Sequence, residues 1–333
     1  MASIIRNQFR SLPYPTADFT GKTVIVTGGN VGLGLEAARH CARLGAAKVI
    51  LGCRNTEKGE AARRDIEASL PRRDGRSNGG STNGVVEVWP LDMCSFESVK
   101  AFFRRADDEL ERLDVLISNA GVNMATFYLD EGYERTITVN VISTFLLALL
   151  LLPKLKQTAA RFNAETHICF ASSDAHRFAA FNERKEPKIF ETFKSKEKMS
   201  FDRYNVSKLL DLLLSRELAR QLDEKGTGAG VVVNVINPGF CTSQLFRDLP
   251  FPINLIIKLG LLMIGRTCEE GSRTYLTAIT SGKETHGKYM DSCLIWEESQ
   301  FVRSEEGSKV QKRVYAELME ILETIEPGIS KNV

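Results

Sequence analysis

Tyr204 and Lys208 place a phenol and an ammonium group four residues apart, in the segment 204–208 (YNVSK). On a helix this spacing puts both side chains on one face, about 6 Å apart. A free phenol, with a pKa of about 10, is a poor acid–base group at neutral pH, but a neighbouring positive charge favours the phenolate and lowers that pKa. Tyr204 could then exchange a proton with a substrate oxygen. Alone the pair is weak evidence, because an aromatic ring often simply packs under a lysine stem.

Two serines upstream offer a hydroxyl that could act on the same oxygen. The segment 171–174 (ASSD) ends a predicted strand, so a serine there can hydrogen-bond a substrate held beside Tyr204. His176 follows closely and could bind a substrate oxygen or cap a loop, and the capping role is favoured. The other three histidines, at 40, 167 and 286, form no metal-ligand pattern, and we predict no metal.

Glycines separate the first predicted strand from the helix that follows, in the segment 27–34 (TGGNVGLG). Such glycines let the backbone turn sharply and leave no Cβ against a pyrophosphate, which then sits at the positive helix N-terminus. A glycine-rich turn can also be only a tight connection, but its place between strand and helix favours dinucleotide binding. The predicted contacts here are Gly28, Asn30, Val31, Gly32, Leu33 and Gly34.

The second predicted strand ends in the segment 52–55 (GCRN), where dinucleotide-binding proteins read the ribose. No carboxylate is present to accept from a 2′-hydroxyl, as NAD would require. Arg54 instead offers a planar fork suited to a phosphate, and Lys58 supplies a second cation one helical turn on. The alternative is a pair of solvated cations beside neighbouring glutamates. We therefore predict NADP(H), contacted by Arg54, Asn55 and Lys58.

Two further motifs follow the third and fourth predicted strands. Asp92 and Met93 come after one, and Asn119, Ala120 and Gly121 come after the other. Open α/β sheets bind ligands at the carboxyl ends of their strands, and small residues there let the chain pass close to a flat ring. Either motif taken singly could be a plain turn.

The elements that must position these residues alternate between short β-branched runs and long helical patterns. Apolar strands separated by helices predict a parallel sheet covered on both faces. The predicted strands are Thr23–Thr27, Lys48–Cys53, Val85–Pro90, Asp114–Ser118, His167–Ala171 and Val231–Ile236. The helical segments begin near Gly32, Thr56, Ser95, Asp130 and Asp202.

With the glycine turn, Asn119–Gly121 and Tyr204-x3-Lys208 in this order, residues 20–290 strongly resemble the short-chain dehydrogenase/reductase family. The resemblance implies a single doubly wound α/β sheet of the Rossmann type. It also implies that Tyr204 is the general acid for carbonyl reduction, that Ser173 positions the carbonyl, and that Lys208 binds the nicotinamide ribose and lowers the pKa of the phenol. Ser173 is chosen over Ser172 because the family's active serine is usually second in the pair.

Other roles follow from the same resemblance. Asn140 would hold a water in a proton relay, and Asp92 would contact the adenine. Pro238, Gly239 and Thr242, in and just after the segment 237–239 (NPG), would flank the nicotinamide carboxamide. The predicted substrate contacts are Ser173, Asp174, His176 and Tyr204.

Composition narrows the partners. Lys plus Arg number 44 against 42 Asp plus Glu, and a formal net charge of +2 argues against nucleic acid or another polyanion. No two of the seven cysteines have the short spacing of a zinc or redox motif, which predicts reduced thiols. The apolar stretches 141–152 and 251–265 are shorter than the roughly 20 residues that span a bilayer. With no apolar run typical of a signal peptide near the start, we predict a cytoplasmic protein.

We predict one domain covering residues 1–333. Four of its segments do not belong to the alternating pattern of strands and helices. Residues 71–84 are predicted to be a polar surface loop, and residues 177–200 a charged insertion that shapes access to the cleft. The apolar segment in 243–265 suggests a lid for a lipophilic substrate, while a subunit interface in a homodimer or homotetramer and a membrane-surface helix stay open as alternatives. Residues 302–325 form an amphipathic helix that packs on the domain or on a neighbouring subunit.

The long 177–200 segment and the 53–55 and 265–271 motifs look like the retinol-dehydrogenase-like branch and its fungal relatives, which often act on secondary metabolites. Vertebrate members often carry an N-terminal membrane anchor that this sequence does not show, which disfavours a retinoid. We predict an NADPH-dependent reductase of a lipophilic ketone or aldehyde, or the reverse alcohol oxidation. The alternatives are a retinol- or sterol-type alcohol dehydrogenase and a non-catalytic NADP sensor, which the four catalytic candidates argue against.

Overall fold

A computed structural model describes residues 6–71, 84–246 and 250–333 of the chain. The predicted loop 71–84 lies, apart from its two ends, outside the described residues. The strands are β1 Thr23–Thr27, β2 Lys48–Cys53, β3 Val86–Pro90, β4 Val115–Ser118, β5 Leu129–Asp130, β6 Tyr133–Glu134, β7 Thr166–Ala171, β8 Val231–Asn237, β9 Tyr289–Asp291 and β10 Leu294–Ile295.

The helices flank these strands. They are α1 Gly32–Arg43, α2 Thr56–Ser69, α3 Phe96–Glu109, α4 Arg135–Phe162, α5 Arg203–Lys225, α6 Ile253–Ile264, α7 Cys268–Ala278, α8 Gln300–Arg303 and α9 Glu305–Ile325. Helix α4 contains a π-helical turn, Thr138–Ile142, and short 3-10 turns occupy much of residues 174–198.

Eight strands form one sheet in the order β10-β9-β8-β7-β4-β1-β2-β3. All neighbours are parallel except β9 and β10. The chain winds outward in both directions from β1, so the strand order reverses between β1 and β4 and leaves a crevice at their carboxyl ends. This confirms the predicted doubly wound α/β fold, and all six predicted strands are present within one residue at each end.

Each face of the sheet carries its own hydrophobic core. Helices α1, α2 and α7 cover one face, and α3, α4, α5 and α9 cover the other. Helix α4 is long and apolar enough to cross a membrane by length and composition alone, but 94% of its most apolar window is buried inside the protein. Its apolar length is therefore explained by its place in the core, against the sheet.

The insertion 177–200 packs mainly against the body of the protein. Its buried side chains Phe181, Phe190 and Phe193 join the core on the α4 side. Arg203, at the start of α5, is fully buried and donates to Glu183 (2.7 Å) and to the Lys198 carbonyl (2.8 Å). The insertion is thereby tied to the first turn of the helix that carries Tyr204.

Two late helices differ sharply in burial. Helix α9 buries Val310, Val314, Leu318 and Leu322 against the rest of the chain, so the predicted terminal helix packs on its own domain. No residue of α6 is buried, although Asn254 and Lys258 are its only polar residues.

Candidate active site

A cavity of about 1420 Å³ opens at the carboxyl edge of the sheet, over the crevice between β1 and β4. The walls come from the glycine turn after β1, the ends of β2, β3, β4, β7 and β8, the start of α5, and α6. Drug-sized ligands occupy sites of roughly 300–1,000 Å³, so this cavity has room for a dinucleotide and a second molecule.

The glycine turn leaves the N-terminus of α1 open to the cavity. Gly28 and Gly32 have φ values of +65° and +63°, which favour glycine. Val31 occupies the N-cap position and provides no side-chain cap, and the first turn carries no acidic residue, so its N–H groups stay available to an anion. Gly34 does not line the cavity; a Cβ there would lie 2.5 Å from the Asn119 Nδ2 atom, so its role is close packing. The residues of this turn that do line the cavity are Gly28, Asn30, Val31, Gly32 and Leu33.

Asn119 fastens the two sides of the crevice together. Its Nδ2 atom donates to the Thr27 carbonyl (2.9 Å), and its own N–H donates to the Thr27 hydroxyl (3.0 Å). The buried Tyr275 of α7 donates its hydroxyl proton to Asn119 Oδ1 (2.9 Å), a contact across 156 residues that no local pattern indicates. Asn119, Ala120 and Gly121 all line the cavity as predicted.

Arg54 and Lys58 lie exposed on the cavity rim at the end of β2. In the described part of the chain, neither side chain makes an ion pair or hydrogen bond. Asn55 also lines the cavity, but its side chain caps α2 by accepting from the Lys58 N–H (2.8 Å). Two unpaired cations beside the open α1 N-terminus, together with the glycine turn, fit a dinucleotide with an additional phosphate.

The predicted adenine contact at Asp92 needs correction. Leu91, Met93 and Cys94 form the cavity wall at this point, whereas Asp92 is not one of the lining residues. Its Oδ1 atom accepts from the Cys94 N–H (3.0 Å), and its own N–H donates to the Ser98 hydroxyl (2.9 Å). Asp92 thus shapes the turn, while Met93 stays a predicted contact.

Ser172 and Ser173 have different surroundings. Ser172 is buried, and its hydroxyl donates to the Lys208 carbonyl (2.8 Å) on α5. Ser173 is less buried, accepts from the Ala175 N–H (3.1 Å) and lies close enough to Tyr204 to lower the pKa of its phenol. Of the two, only Ser173 can thus act together with Tyr204.

Tyr204 titrates differently from the expectation. Burial raises its pKa, and the charge of Lys208 and the Ser173 hydrogen bond offset that rise only in part, so the pKa stays above 10. The Lys208 ammonium lies 5.8 Å from the centroid of the phenol ring. The predicted net lowering was wrong for the protein without ligand, because the sequence does not show how much protein surrounds the half-buried phenol. A protonated phenol at neutral pH is the form that a proton donor needs.

Lys208 is held by two acceptors. Its Nζ atom donates to the Ala171 carbonyl (2.8 Å) and to Asp211 Oδ2 (2.9 Å). Burial lowers the pKa of Lys208, but the charges of Asp211 and Tyr204 outweigh burial and raise it overall. Asp211, itself buried, therefore keeps the lysine charged. The acidic residue three positions after Lys208 on the same helix face was a signal that sequence reasoning missed.

Asn140 lies in the π-helical turn of α4 and orients the segment after β4. Its Oδ1 accepts from the Val122 N–H (2.8 Å), and its Nδ2 donates to the Val122 carbonyl and to the Ser207 hydroxyl, both at 3.0 Å. Both amide hydrogens are used, so a water relay, which stays a prediction, would depend on the second lone pair of Oδ1 or on the main chain.

His176 does not reach the cavity, which corrects its prediction as a substrate contact. The side chain is buried, donates from Nδ1 to the Ser173 carbonyl (2.7 Å) and accepts at Nε2 from the Ser299 N–H (3.1 Å). Burial lowers its pKa to about 4, so the ring is neutral at physiological pH. His176 therefore caps a loop.

Asp174 lines the cavity but has its oxygens occupied by protein. It accepts from the Arg177 side chain (2.7 Å), the Tyr289 hydroxyl (3.1 Å) and Asn237 Nδ2 (3.1 Å). These contacts give Asp174 a structural role, and its contact with the substrate stays a prediction.

The predicted nicotinamide-flanking motif is present in part. Pro238 and Gly239 line the cavity after β8, and Gly239 has a φ of +86°. Thr242 does not line it: its N–H (3.0 Å) and hydroxyl (3.3 Å) both donate to the Arg266 carbonyl. Ser243 takes its place on the wall.

The other end of the cavity is apolar, with a few polar groups. Phe240 and Phe246 lie with their ring centroids 5.8 Å apart. Of the insertion 177–200, only Phe178 lines the cavity, so the predicted shaping of the cleft by this segment is confined to one residue. The remaining wall residues at this end include Gln8, Val122, Asn123, Asn205, Leu245, Ile257 and Ile264.

The arrangement of the possible metal ligands and of the cysteines is also defined. Across residues 6–71, 84–246 and 250–333, no group of three or more His, Cys, Asp or Glu side chains is placed to hold a metal ion. All seven cysteines are free thiols.

Comparison with known proteins identifies the family. Residues 22–182 match the short chain dehydrogenase family. The chain is 43% identical, over 337 aligned positions and the full length of both proteins, to the short chain dehydrogenase/reductase dmxR8 of a Cryptosporiopsis species. It is 41% identical to the short-chain dehydrogenase anuD of Penicillium roqueforti, covering 95% of this chain and 81% of that protein. The chain belongs to the short-chain dehydrogenase/reductase family.

Solved structures give the same fold. A Pseudomonas aeruginosa RhlG/NADP active-site complex superposes with a TM-score of 0.60 at 22% identity, covering 84% of this chain and 97% of that one. An NADPH-bound carbonyl reductase from chicken fatty liver superposes with a TM-score of 0.58 at 20% identity, covering 83% and 100%. The protein is therefore an oxidoreductase of this family with its nucleotide-binding fold.

Proposed function

We propose that the protein transfers hydride reversibly between NADP(H) and a lipophilic ketone or aldehyde, or the corresponding alcohol. The observation that carries this proposal is one cavity with Ser173, Tyr204 and Lys208 at its centre and two unpaired cations, Arg54 and Lys58, at its rim. Hydride donors with this chemistry are nicotinamide dinucleotides, and the rim cations favour the phosphorylated one.

Each residue of the centre has a separate task. When bound, the nicotinamide supplies the hydride that adds to the carbonyl carbon. Tyr204 donates its phenolic proton to the carbonyl oxygen, and Ser173 hydrogen-bonds the same oxygen and holds it in line. Lys208 stabilises the phenolate that remains, and its third N–H, beyond those given to Ala171 and Asp211, is left for the nicotinamide ribose.

The direction of the reaction depends on the cofactor and not on these residues. The same phenol accepts the proton when an alcohol is oxidised. The raised pKa of Tyr204 in the free protein favours the protonated form and so suits reduction. NADP pools in cells are mostly reduced, and we propose a ketoreductase for the physiological direction.

The substrate end supports a lipophilic ligand. Phe178, Phe240, Phe246 and Ile257 give a wide apolar wall, and Asn205 adds a polar point on it. A lipophilic carbonyl compound of secondary metabolism fits this wall, and so does a retinol- or sterol-type alcohol, which is the second candidate.

A substrate panel separates these candidates. Small and bulky ketones, aldehydes, secondary alcohols, retinol and a sterol should be followed at the nicotinamide absorbance band with NADP(H) and with NAD(H). We expect bulky ketones to be reduced with NADPH at an efficiency at least about tenfold above NADH, as loss of a charged phosphate contact requires. Equal efficiency with both cofactors would contradict the NADP assignment, and turnover of the alcohols alone would favour the second candidate.

A further inference from the structure

The substrate end of the cavity is covered by a segment that leaves the body of the protein and returns to it. We call its described residues, 243–246 and 250–265, the flap. Its two ends meet at a narrow neck, where the Arg266 N–H donates to the Phe240 carbonyl (2.8 Å) and the Thr242 N–H donates to the Arg266 carbonyl (3.0 Å). The position of this neck decides where Phe240 and α6 lie over the cavity.

Gln8 completes the neck from outside the family's common core. Its Oε1 atom accepts from the Phe240 N–H (2.9 Å), and its Nε2 atom donates to the Phe240 carbonyl (2.9 Å). The same Nε2 donates to the Ile264 carbonyl (2.7 Å), at the last residue of α6. The Gln8 side-chain amide thus binds both backbone groups of Phe240, just before the flap, and the carbonyl of Ile264, 24 residues later.

The backbone around Gln8 is fixed both to the body and to the neck. Asn7 Nδ2 donates to Asp291 Oδ2 (2.6 Å) on β9, and the Arg266 guanidinium donates to the Asn7 carbonyl. Farther along, Arg273 donates to the Leu12 carbonyl (2.7 Å). The amide of Gln8 is therefore presented from a rigid support, and the flap is the part that it restrains.

Burial gives the flap little other restraint. Helix α6 has no buried residue, whereas Ile257 and Ile264 on it line the cavity together with Phe240 and Gln8 itself. The three hydrogen bonds of Gln8 therefore contribute more to the position of α6 than they would if the helix were buried.

We infer that Gln8 is a positioning residue that sets substrate specificity: it fixes the flap so that Phe240 and Ile264 form a closed apolar wall against a bulky substrate. The inference rests on the proposed carbonyl reduction. A small carbonyl compound needs only the Ser173 and Tyr204 end of the cavity. Its turnover should therefore not depend on the three hydrogen bonds of Gln8, which we call the latch.

The kinetic test compares Gln8→Ala with Phe9→Ala, a neighbour whose side chain is 65% exposed. In Gln8→Ala we expect KM for a bulky lipophilic ketone to rise about tenfold, the change that corresponds to roughly 1.4 kcal/mol and to the loss of one or two hydrogen bonds. KM for NADPH and kcat for a small ketone should stay within about twofold, and Phe9→Ala should match the parent protein. Gln8→Glu, which sets a carboxylate oxygen against two carbonyl oxygens, should act in the same direction. Parallel increases for both ketones, or none for either, would overturn the inference.

A second measurement does not depend on turnover. Hydrogen exchange of the full-length protein with NADPH should show the Phe240 N–H protected in the parent and in Phe9→Ala, and exchanging at least about tenfold faster in Gln8→Ala. Unchanged exchange at Phe240 would refute the latch even if the enzyme is active. Faster exchange in a protein that reduces no ketone would keep the latch and refute the proposed function.

Discussion

The two ends of the cavity are built in opposite ways. At the cofactor end, Asn119, Ser172 and Lys208 are joined by hydrogen bonds to strands and buried helices, and Gly34 allows contacts too close for any side chain. At the substrate end, α6 is apolar and exposed, with Leu262 84% exposed, and it is tied to the body mainly through a narrow neck.

This difference shows how the fold divides chemistry from recognition. Hydride and proton transfer need atoms placed within tenths of an ångström, which a close-packed sheet edge provides. A bulky substrate needs surface that can be altered without disturbing those atoms, which a thinly attached segment provides. Changes at the first end should therefore affect turnover of every substrate, and changes at the second end should affect some substrates only.

The largest expected effect is that of Tyr204→Phe. Removal of the phenolic hydroxyl takes away the proton donor, and we expect kcat to fall by about 10³-fold or more for small and bulky ketones alike. Binding of NADPH, followed by its fluorescence, should change less than about threefold. Tyr128→Phe, a change at an exposed tyrosine outside the cavity, is the matched control. Retained turnover in Tyr204→Phe would remove this residue from the mechanism.

Next in size is Arg54→Gln at the cofactor rim. Loss of a charged hydrogen bond to a phosphate corresponds to about 1.5–3 kcal/mol, so Kd for NADPH should rise about 10- to 100-fold. Kd for NADH, which lacks that phosphate, should stay within about twofold. Arg64→Gln removes an exposed arginine of α2, the helix that follows Arg54, away from the cavity and should alter neither value. Equal weakening of both cofactors by Arg54→Gln would mean that Arg54 does not read the phosphate.

A third prediction concerns the free energy of unfolding at acid pH, through two buried histidines. Burial lowers the pKa of both His167 and His176 to about 4, against about 6.5 in the unfolded chain. Between these values the unfolded state binds more protons, so stability is fully present above pH 6.5 and is lost as the pH falls towards 4. Each histidine should lower the free energy of unfolding by about 2 kcal/mol between pH 6.5 and pH 5. Urea unfolding at both pH values should show that His176→Gln reduces this loss, and an identical loss in the variant would contradict the assignment.

The smallest expected effect lies on the exposed face of the flap. Leu262→Ser should change the free energy of unfolding by less than about 0.5 kcal/mol, as exposed substitutions do. Leu213→Ala, in the core of α5, should lower it by about 2–5 kcal/mol. A large loss of stability in Leu262→Ser would show that this face is covered in solution, and the contrast between the two ends would then need revision.

The motifs of the cofactor end could be predicted well from the sequence. The glycine turn, Asn119–Gly121 and Tyr204-x3-Lys208 follow from local spacing, because each motif sits at a strand end or on one helix face. Sequence reasoning was wrong where side-chain direction matters: Asp92 and His176 bond groups of their own turns, and Thr242 bonds the Arg266 carbonyl across the neck.

Contacts between residues far apart in the sequence could not be predicted in this way. Gln8 and Tyr275 meet the site across 232 and 156 residues, and no pattern within one element reports such contacts. The raised pKa of Tyr204 was missed for a related reason, since its burial is produced by the whole fold.

Arg203 has a consequence for exchanging parts between relatives. It is the residue before Tyr204, and it is buried against Glu183 and the Lys198 carbonyl of the insertion 177–200. A chimaera that receives a different segment in place of 177–200 would leave this buried guanidinium, next to the proton donor, with only its more distant ion pair to Glu134 (3.8 Å). The insertion and Arg203 are thus one inherited unit, and a transplant that moves both together should keep its catalytic helix in place.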